Sequence, residues 1–243
     1  MKHLYLNEET QRVSILDNRF YKTESDEFYP GVTTVLDAYP KGGFYTQWLK
    51  DMGNAADTVI QKAFDLGSEV HNAIDSLTKG KELKFMDANG NSLFTYEAWL
   101  MINKFYQFSK HIKIISSEQV VLDHQHKLGG TVDLICEIDG ERWLIDYKTS
   151  KAIYKTNQIQ LAAYRSMLAD DKITKHGVLW LNAATRTEKS FTQGKGWQLI
   201  SFSDSYEKDL ELFRMTHRLW LEENDKYNPN NVEFDNVLKL TLT

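Results

Sequence analysis

Two aspartates and a lysine stand on stretches of the chain whose other residues are mostly apolar. These residues, Asp133, Asp146 and Lys148, belong to the segment "GGTVDLICEIDGERWLIDYKTS", residues 129–150. The apolar runs on either side of Asp139–Gly140 predict a β-hairpin, because this dipeptide is a strong signal for a two-residue turn. If the fold brings the three side chains together, they can bind a divalent cation and activate a water molecule.

The position of the turn sets the register of the hairpin. A two-residue loop at Asp139–Gly140 places Asp133 directly opposite Asp146. A four-residue loop keeps this register, whereas a three-residue loop shifts it by one. Opposed residues of an antiparallel pair have Cβ atoms about 4.5–5.5 Å apart on one face of the sheet. Alternation along the strand then puts Lys148 on the same face as Asp146.

Two ionised carboxylates in this arrangement repel each other, and the apolar neighbours Ile135 and Leu144 predict a partly dry setting that raises the cost. Lys148 can offset part of the charge, but a divalent cation offsets more of it. Clustered carboxylate oxygens favour a hard ion such as Mg²⁺ or Mn²⁺. A lysine beside that ion can orient or deprotonate the attacking water, or stabilise charge on a phosphate. Taken alone, the three residues also fit a surface hairpin with a solvated Asp–Lys cluster.

Four short motifs follow one another in a defined order. They are a glycine four residues before a histidine in "LGSEVHNAID" (Gly67 and His71), G-x-x-D (Gly130 to Asp133), D-Y-K (Asp146 to Lys148) and Q-x-x-x-Y (Gln160 and Tyr164). This set resembles the PD-(D/E)XK nuclease superfamily, specifically its RecB-like and phage-exonuclease branch, over roughly residues 64–183. The chain differs from the motif after which the family is named, because Thr131-Val132 precede the first aspartate where that motif has a proline. It also lacks the cysteine set of the iron–sulfur members.

The resemblance implies roles for particular residues. The implied metal ligands are His71, Asp133, Asp146 and Glu118. The implied catalytic set is Asp133, Asp146, Lys148, Gln160 and Tyr164, in which the glutamine and the tyrosine share a helix face and order the lysine. Each has an ordinary alternative: His71 as a core histidine at the edge of a buried stripe, Glu118 as a polar residue on an edge strand, and Tyr164 as simple packing.

Basic residues after the second aspartate are candidates for binding phosphates. Lys151, Lys155 and Arg165 flank the helix that is predicted to carry Gln160, and their charges suit phosphate oxygens. The stretch "YPGVTTVL" is similar to an N-terminal segment of related exonucleases, which implies a phosphate contact for Thr33 or Thr34. We therefore expect Lys151, Lys155, Arg165 and Thr34 to bind the substrate.

The elements that must position these residues predict an α/β fold. The patterns indicate a β-meander over 2–22 with "LDNRF" as a turn, helical segments over 29–80 broken at Pro40 and at Gly42–Gly43, helices near 95–109, 154–169 and 205–223, and strands near 112–123, 129–138, 141–148, 177–183 and 197–203. The resemblance implies a restriction-endonuclease-like core of order αβββαβ, with a mixed central sheet flanked by helices. We expect one nuclease domain, with an N-terminal β and helical extension (1–63), the core (64–183) and a C-terminal strand and helix (184–243).

Composition limits the class of protein. A chain of 243 residues with 42% hydrophobic and 12% aromatic residues is long enough for a substantial core and shows no sign of disorder. Its single cysteine, Cys136, excludes internal disulfides, zinc clusters and iron–sulfur ligation. The net charge of −5 argues against a surface uniformly coated for nucleic acid, although it allows a local basic groove. The short apolar runs and the absence of a signal core predict a cytoplasmic protein with no membrane contact, in a bacterial or phage-infected cell.

These observations predict a nuclease that uses Mg²⁺ or Mn²⁺ to hydrolyse linear DNA, single- or double-stranded. The RecB-like motifs favour an exonuclease of phage or bacterial recombination, repair or replication, working with a partner protein. Two alternatives stay open: a DNA-binding module that keeps the nuclease fold without turnover, and an endonuclease or junction-cutting enzyme of the same superfamily. A structural protein without a ligand leaves the opposed aspartates without a compensating partner.

Overall fold

The structure, a computed structural model, describes residues 2–3, 6–7, 10–15, 18–224, 233–234 and 239. In chain order the strands are β1 (Lys2–His3), β2 (Leu6–Asn7), β3 (Arg12–Ile15), β4 (Asn18–Lys22), β5 (Phe28–Pro30), β6 (Lys113–Asp123), β7 (Leu128–Ile138), β8 (Glu141–Lys148), β9 (Ile173–Trp180), β10 (Gln193–Gly194), β11 (Trp197–Ser201) and β12 (Glu233–Phe234). The helices are α1 (Val32–Leu36), α2 (Gly42–Met52), α3 (Ala55–Thr78), α4 (Tyr96–Ser109), α5 (Lys155–Leu168) and α6 (Tyr206–Glu223), with a 3₁₀ turn over Ser203–Ser205.

The central sheet has six strands in the order β10-β11-β9-β8-β7-β6. Strands β8 and β9 run parallel, and the other neighbours in this sheet are antiparallel. A parallel pair needs a long crossover connection, which α5 supplies between β8 and β9. The predicted α/β class, with a mixed sheet flanked by helices in a restriction-endonuclease-like arrangement, is confirmed.

Helices cover both faces of this sheet. On one face, α3 and α4 pack against alternate residues of β7 and β8, through Val70, Ile74, Phe105, Leu134 and Ile145. On the other face, α5 and α6 pack against the intervening residues, through Ile159, Leu161, Phe213, Ile135 and Leu144. Because successive side chains point to opposite faces, a strand that is covered on both sides is apolar along its whole length. This is why the two polar positions on these strands need a separate explanation.

The N-terminal part forms a second, four-stranded antiparallel sheet in the order β2-β3-β4-β5. The predicted meander is therefore present in the described residues, although Leu16 and Asp17 of the predicted turn lie outside them and Asn18 to Phe20 belong to β4. A β-bridge between Gly31 and Gly129 joins this part to β7.

Several predicted boundaries differ from the structure. The predicted break at Pro40 and Gly42–Gly43 lies between α1, which ends at Leu36, and α2, which begins at Gly42. A second break, which was not predicted, falls between α2 and α3 at Gly53, whose φ is 51°. Strand β9 begins at Ile173, earlier than the polar "ITKH" pattern indicates, because pairing with β8 extends it. None of the described helices has an apolar stretch long enough to cross a membrane.

Candidate active site

The hairpin of β7 and β8 has the predicted register. Asp139 and Gly140 form the turn with φ of 49° and 82°, as the mirror-image hairpin turns require. Strand pairing matches Leu134 with Ile145 as its last pair, and the next position in the same register holds Asp133 and Asp146. The two aspartates therefore lie across from each other just beyond the end of the ladder. There the Tyr147 backbone N–H donates to Oδ2 of Asp133 over 2.8 Å.

A third acidic residue, Glu118, reaches the same level of the sheet from β6. The pairs Ser117–Leu134 and Gln119–Val132 flank it, so Glu118 lies across from Asp133 on the other side of β7. Its backbone has a φ of 46°, a left-handed conformation that costs an L-residue about 1 kcal/mol or more. Acidic residues on three neighbouring strands thus meet at one edge of the hairpin, and one of them has a strained backbone.

His71 joins this group from α3. Its Nδ1 lies 3.5 Å from Oδ1 of Asp133. Potential ligand atoms of His71, Glu118 and Asp133 all lie within 4.8 Å of one another. Three of the four predicted metal ligands are therefore brought together.

The fourth predicted ligand, Asp146, contacts Lys148, which alternation places on the same face. Its carboxylate does not belong to the close group of ligand atoms, and its Oδ2 lies 2.7 Å from Nζ of Lys148. The pair follows from the alternation that puts both residues on one face, two positions apart. Apart from Lys148, Oδ2 has no hydrogen-bond donor among the described residues. A carboxylate that is 3% exposed is costly in this state, because buried charge needs both a partner and hydrogen bonds.

The pKa values of the three acidic residues reflect their burial and their closeness to one another. Burial, aided by the charge of Asp133, raises the pKa of Glu118 to about 7. Burial raises the pKa of Asp146 to about 6, and the charge of Lys148 only partly opposes the rise. Burial also acts to raise the pKa of Asp133, but the adjacent His71 outweighs it and holds this pKa below its usual value.

The pKa of His71 is shifted as well, in the direction that favours its charged form. Burial disfavours its charged form, yet Asp133 raises its pKa above the usual value. The ring packs edge-on against Tyr147, with centroids 5.5 Å apart. Asp75, one turn along α3, does not contact His71 in this way, because it accepts a hydrogen bond from Ser117 at 3.2 Å and pairs with Lys79 at 2.8 Å.

This donor set fits a hard divalent cation. One imidazole and a majority of carboxylate oxygens are ligands that Mg²⁺ or Mn²⁺ accepts, whereas softer ions favour thiolates. Burial keeps the pKa values of Glu118 and Asp146 raised even though Lys148 lies beside Asp146, and a nearby divalent cation would lower both.

A chain of hydrogen bonds extends from Lys148 to helix α5. Its Nζ donates to Oε1 of Gln160 over 3.2 Å, and Nε2 of Gln160 donates to the hydroxyl of Tyr164 over 3.3 Å. The i, i+4 spacing of the last two residues puts them on one face of the helix. Lys148 is therefore held between the Asp146 carboxylate and the Gln160 amide.

The glycine of the G-x-x-D motif makes room for this chain. A Cβ atom at Gly130 would lie 2.5 Å from Cε1 of Tyr164, closer than non-bonded atoms approach. Only glycine lets the Tyr164 ring lie against β7 at this point. The sequence motifs include both residues, but nothing in their spacing indicates this contact.

The predicted substrate-binding residues are mostly occupied elsewhere. Lys155 pairs with Asp209, which is fully buried on α6. The Arg165 guanidinium lies 4.3 Å from the Tyr206 ring centroid, with Nη1 3.4 Å from Nδ1 of His176.

The other two predicted residues, Thr34 and Lys151, differ from each other in exposure. Thr34 is 2% exposed, and its hydroxyl both donates to the backbone carbonyl of Arg19 and accepts from the Arg19 N–H. This placement argues against a phosphate contact for Thr34, because its hydrogen-bonding capacity is used inside the protein. Lys151, by contrast, is exposed in the loop after β8. Of the four predicted residues, it alone presents an available charge.

A sequence model of the PD-(D/E)XK nuclease superfamily matches residues 43–231, well over half of the chain. No curated protein matches it. Among solved structures, the crystal structure of SSO0001 is similar over 50% of this chain and 57% of that chain, at 14% identity and a TM-score of 0.29. At this identity and TM-score, the similarity does not indicate the function of the present chain.

Proposed function

This chain belongs to the PD-(D/E)XK nuclease superfamily, and on that premise we propose that it is an exonuclease that uses Mg²⁺ or Mn²⁺ to hydrolyse phosphodiester bonds of linear DNA. The observation that carries the proposal is the meeting of Glu118, Asp133 and His71 within 4.8 Å of one another, beside the contact of Asp146 with Lys148 at 2.7 Å. Clustered, partly buried ionisable groups destabilise a fold that serves only as a scaffold, whereas a phosphodiesterase needs them to bind its cation.

The cation would be held by His71, Glu118 and Asp133, with Asp146 next to them. When bound, it supplies neutralisation of the phosphate charge and a water of lowered pKa. The protein's part is to keep these carboxylates ionised and correctly placed. The Tyr147 N–H contributes by fixing one oxygen of Asp133, which leaves Oδ1 directed toward His71.

Lys148 acts on the attacking water and on the charge that develops at the phosphate. Gln160 and Tyr164 restrict its ammonium group to one position, because each hydrogen bond in the chain from Tyr164 to Lys148 fixes the next. A positioned ammonium group stabilises a transition state more than a mobile one, since no reorganisation is needed during the reaction.

Exonuclease action is the finer part of the proposal. It is supported by the RecB-like order of motifs. The setting we propose is DNA recombination, repair or replication in the cytoplasm of a bacterial or phage-infected cell, together with a partner protein of that machinery.

End-labelled linear DNA and closed circular DNA, each with Mg²⁺, Mn²⁺ or a chelator, test the proposal. An exonuclease releases nucleotides from the linear substrate and leaves the closed circle intact. Cutting of the circle would select an endonuclease or junction-cutting enzyme. Measurable DNA binding without cleavage of either substrate would select the non-catalytic binding module. Activity that persists unchanged with the chelator would exclude the metal-dependent mechanism.

A further inference from the structure

One face of the N-terminal sheet carries two arginines that the sequence analysis did not single out. In the pairing of β3 with β4, Arg12 lies opposite Tyr21 and Ser14 lies opposite Arg19. Directly opposed residues share a face of an antiparallel sheet, and so do residues two apart on one strand. Arg12, Arg19 and Tyr21 therefore project from the same face.

Tyr21 fixes that face against the strand that carries Asp133. Its hydroxyl lies 2.9 Å from Oγ1 of Thr131, in a hydrogen bond across 110 residues of sequence. Its ring fills the space beside β7 so closely that a Cβ at Gly129 would lie 2.4 Å from Cδ2. Thr131 is two residues before Asp133 and so shares its face of β7. The arginine-bearing face thus borders the acidic group.

The charges of both arginines act on Tyr21, the residue that joins the two sheets. Burial raises the pKa of the Tyr21 hydroxyl, and its hydrogen bond with Thr131 and the charges of Arg12 and Arg19 oppose that rise. Both arginines therefore act at the point where the N-terminal sheet meets β7, two residues from Asp133.

Among the residues that the structure describes, the guanidinium groups of Arg12 and Arg19 have no hydrogen-bond or ion-pair partner, although both side chains are half-buried. The hydrogen bonds that Arg19 makes to the Thr34 hydroxyl involve its backbone N–H and carbonyl. Arg142, in contrast, pairs with Asp170 at 3.0 Å, and Arg165 lies over Tyr206. A partly desolvated guanidinium without an anion is unfavourable unless an anionic ligand completes it.

We propose that Arg12 and Arg19 form a phosphate clamp, a pair of guanidinium groups that binds the backbone phosphates of the DNA strand next to the bond to be cut. The clamp rests on the proposed function, since it places the substrate strand at the same site. Guanidinium suits this role because its planar fork matches two phosphate oxygens at once. The clamp supplies the phosphate contacts that Lys155, Arg165 and Thr34 are not free to make.

Salt-dependent DNA binding tests the clamp. A fluorescently labelled single-stranded oligonucleotide is titrated with the full chain in the presence of a chelator, at several salt concentrations. Arg12→Gln and Arg19→Gln remove the charge but keep most of the stem. We expect each to weaken binding by about tenfold and to reduce the salt slope by about 0.7 per lost contact. Arg12→Lys restores the slope because it restores the charge, but not the full affinity, because it lacks the fork.

Arg218→Ala is the matched control, because Arg218 is exposed on α6. It leaves affinity and slope unchanged. Unchanged affinity and slope in both Arg12→Gln and Arg19→Gln overturn the clamp, provided that circular dichroism shows the wild-type fold. If Arg12→Gln does not fold, Arg12→Lys decides through its affinity, and wild-type affinity there overturns the clamp.

The clamp and the nuclease activity can fail separately. DNA that binds with the expected arginine dependence but is never cut refutes the proposed turnover and leaves the clamp standing. DNA that is cut with the same KM by wild type and by Arg12→Gln and Arg19→Gln refutes the clamp and leaves the nuclease standing. An absence of any DNA binding by the wild-type chain refutes both.

Discussion

The ring of Tyr164 occupies the space that a side chain at Gly130 would need. The closest approach, 2.5 Å from a built Cβ to Cε1, joins the G-x-x-D motif of β7 to the Q-x-x-x-Y motif of α5. Through Gln160, the same tyrosine is connected to Lys148. The packing at Gly130, where only a hydrogen atom fits, is therefore linked through Tyr164 and Gln160 to the lysine that we propose to be catalytic.

Gly130→Ala should lower both stability and activity. We expect a loss of about 1–3 kcal/mol in the free energy of unfolding, because the ring must move in a packed core. Cleavage should slow as well, since the shifted Tyr164 no longer holds Gln160. Urea unfolding and kcat measure the two effects. Gly43→Ala is the control, because a Cβ there meets nothing within 4 Å, and wild-type behaviour in Gly130→Ala would contradict the linkage.

Lys148→Ala should abolish cleavage and leave DNA binding nearly intact. We expect kcat to fall by about a thousandfold or more, because the positioned ammonium group acts on the reacting atoms. Anisotropy with labelled DNA measures binding, and release of end label measures cleavage. Lys195→Ala, an exposed lysine far along the chain, controls for loss of a positive charge. Robust Mg²⁺-dependent cleavage by Lys148→Ala would remove this residue from the mechanism.

Cation binding should strengthen with rising pH. The pKa of Glu118 is about 7 and that of Asp146 about 6, both raised by burial, and protons on these carboxyls compete with the cation. The apparent affinity for Mn²⁺, measured by calorimetry, should therefore rise from about pH 5.5 to about pH 8 and then level off.

Substitution of the ligands gives the matching test of cation binding. We expect Asp133→Asn to abolish the calorimetric signal and Glu118→Gln to weaken Mn²⁺ binding by about tenfold or more. An affinity that is the same at all pH values, or the same in both variants, would exclude this group as the cation site.

Buried His176 should make the fold acid-sensitive. Burial, together with the charge of Arg165, lowers its pKa to about 4, whereas an unfolded histidine titrates near 6.5. Between these values only the unfolded chain binds the proton, so the stabilising contribution is complete above about pH 6.5 and is lost as pH falls toward about 4. The loss for this residue, which is 0% exposed, reaches about 3 kcal/mol.

Melting curves at several pH values measure this effect. His176→Asn should lose stability at neutral pH but show a flatter decline on acidification. His111→Asn, at an exposed position, should keep the wild-type pH dependence. The same decline in His176→Asn as in wild type would assign the acid sensitivity to other groups.

Lys155→Ala should destabilise the protein and spare DNA binding. The Asp209 carboxylate, 0% exposed, is paired with Lys155 and accepts from Ser205 Oγ at 2.5 Å. Removal of one partner of a buried pair costs about 3 kcal/mol or more. The double variant Lys155→Met with Asp209→Leu should recover most of it, because no charge is left unpaired. Weakened DNA binding at unchanged stability would instead restore the phosphate-binding role.

Local sequence rules accounted for the hairpin and the order of elements. The Asp139–Gly140 turn demands positive φ at both residues, which fixes the register from one dipeptide. Period-two burial on a strand covered on both faces then makes Asp133, Asp146 and Lys148 stand out as polar exceptions. The prediction of these residues as a cluster needed no distant contact.

The sequence by itself determined the mixed α/β fold and the hairpin at the centre of the site, because turns, alternation and helix spacing depend on neighbouring residues. Tertiary structure alone decided that Lys155 and Arg165 are occupied by Asp209 and Tyr206, and that the N-terminal sheet packs against β7 through Tyr21 and Thr131. These contacts join residues far apart in sequence. Long charged side chains can reach several partners, and only the packed arrangement selects among them.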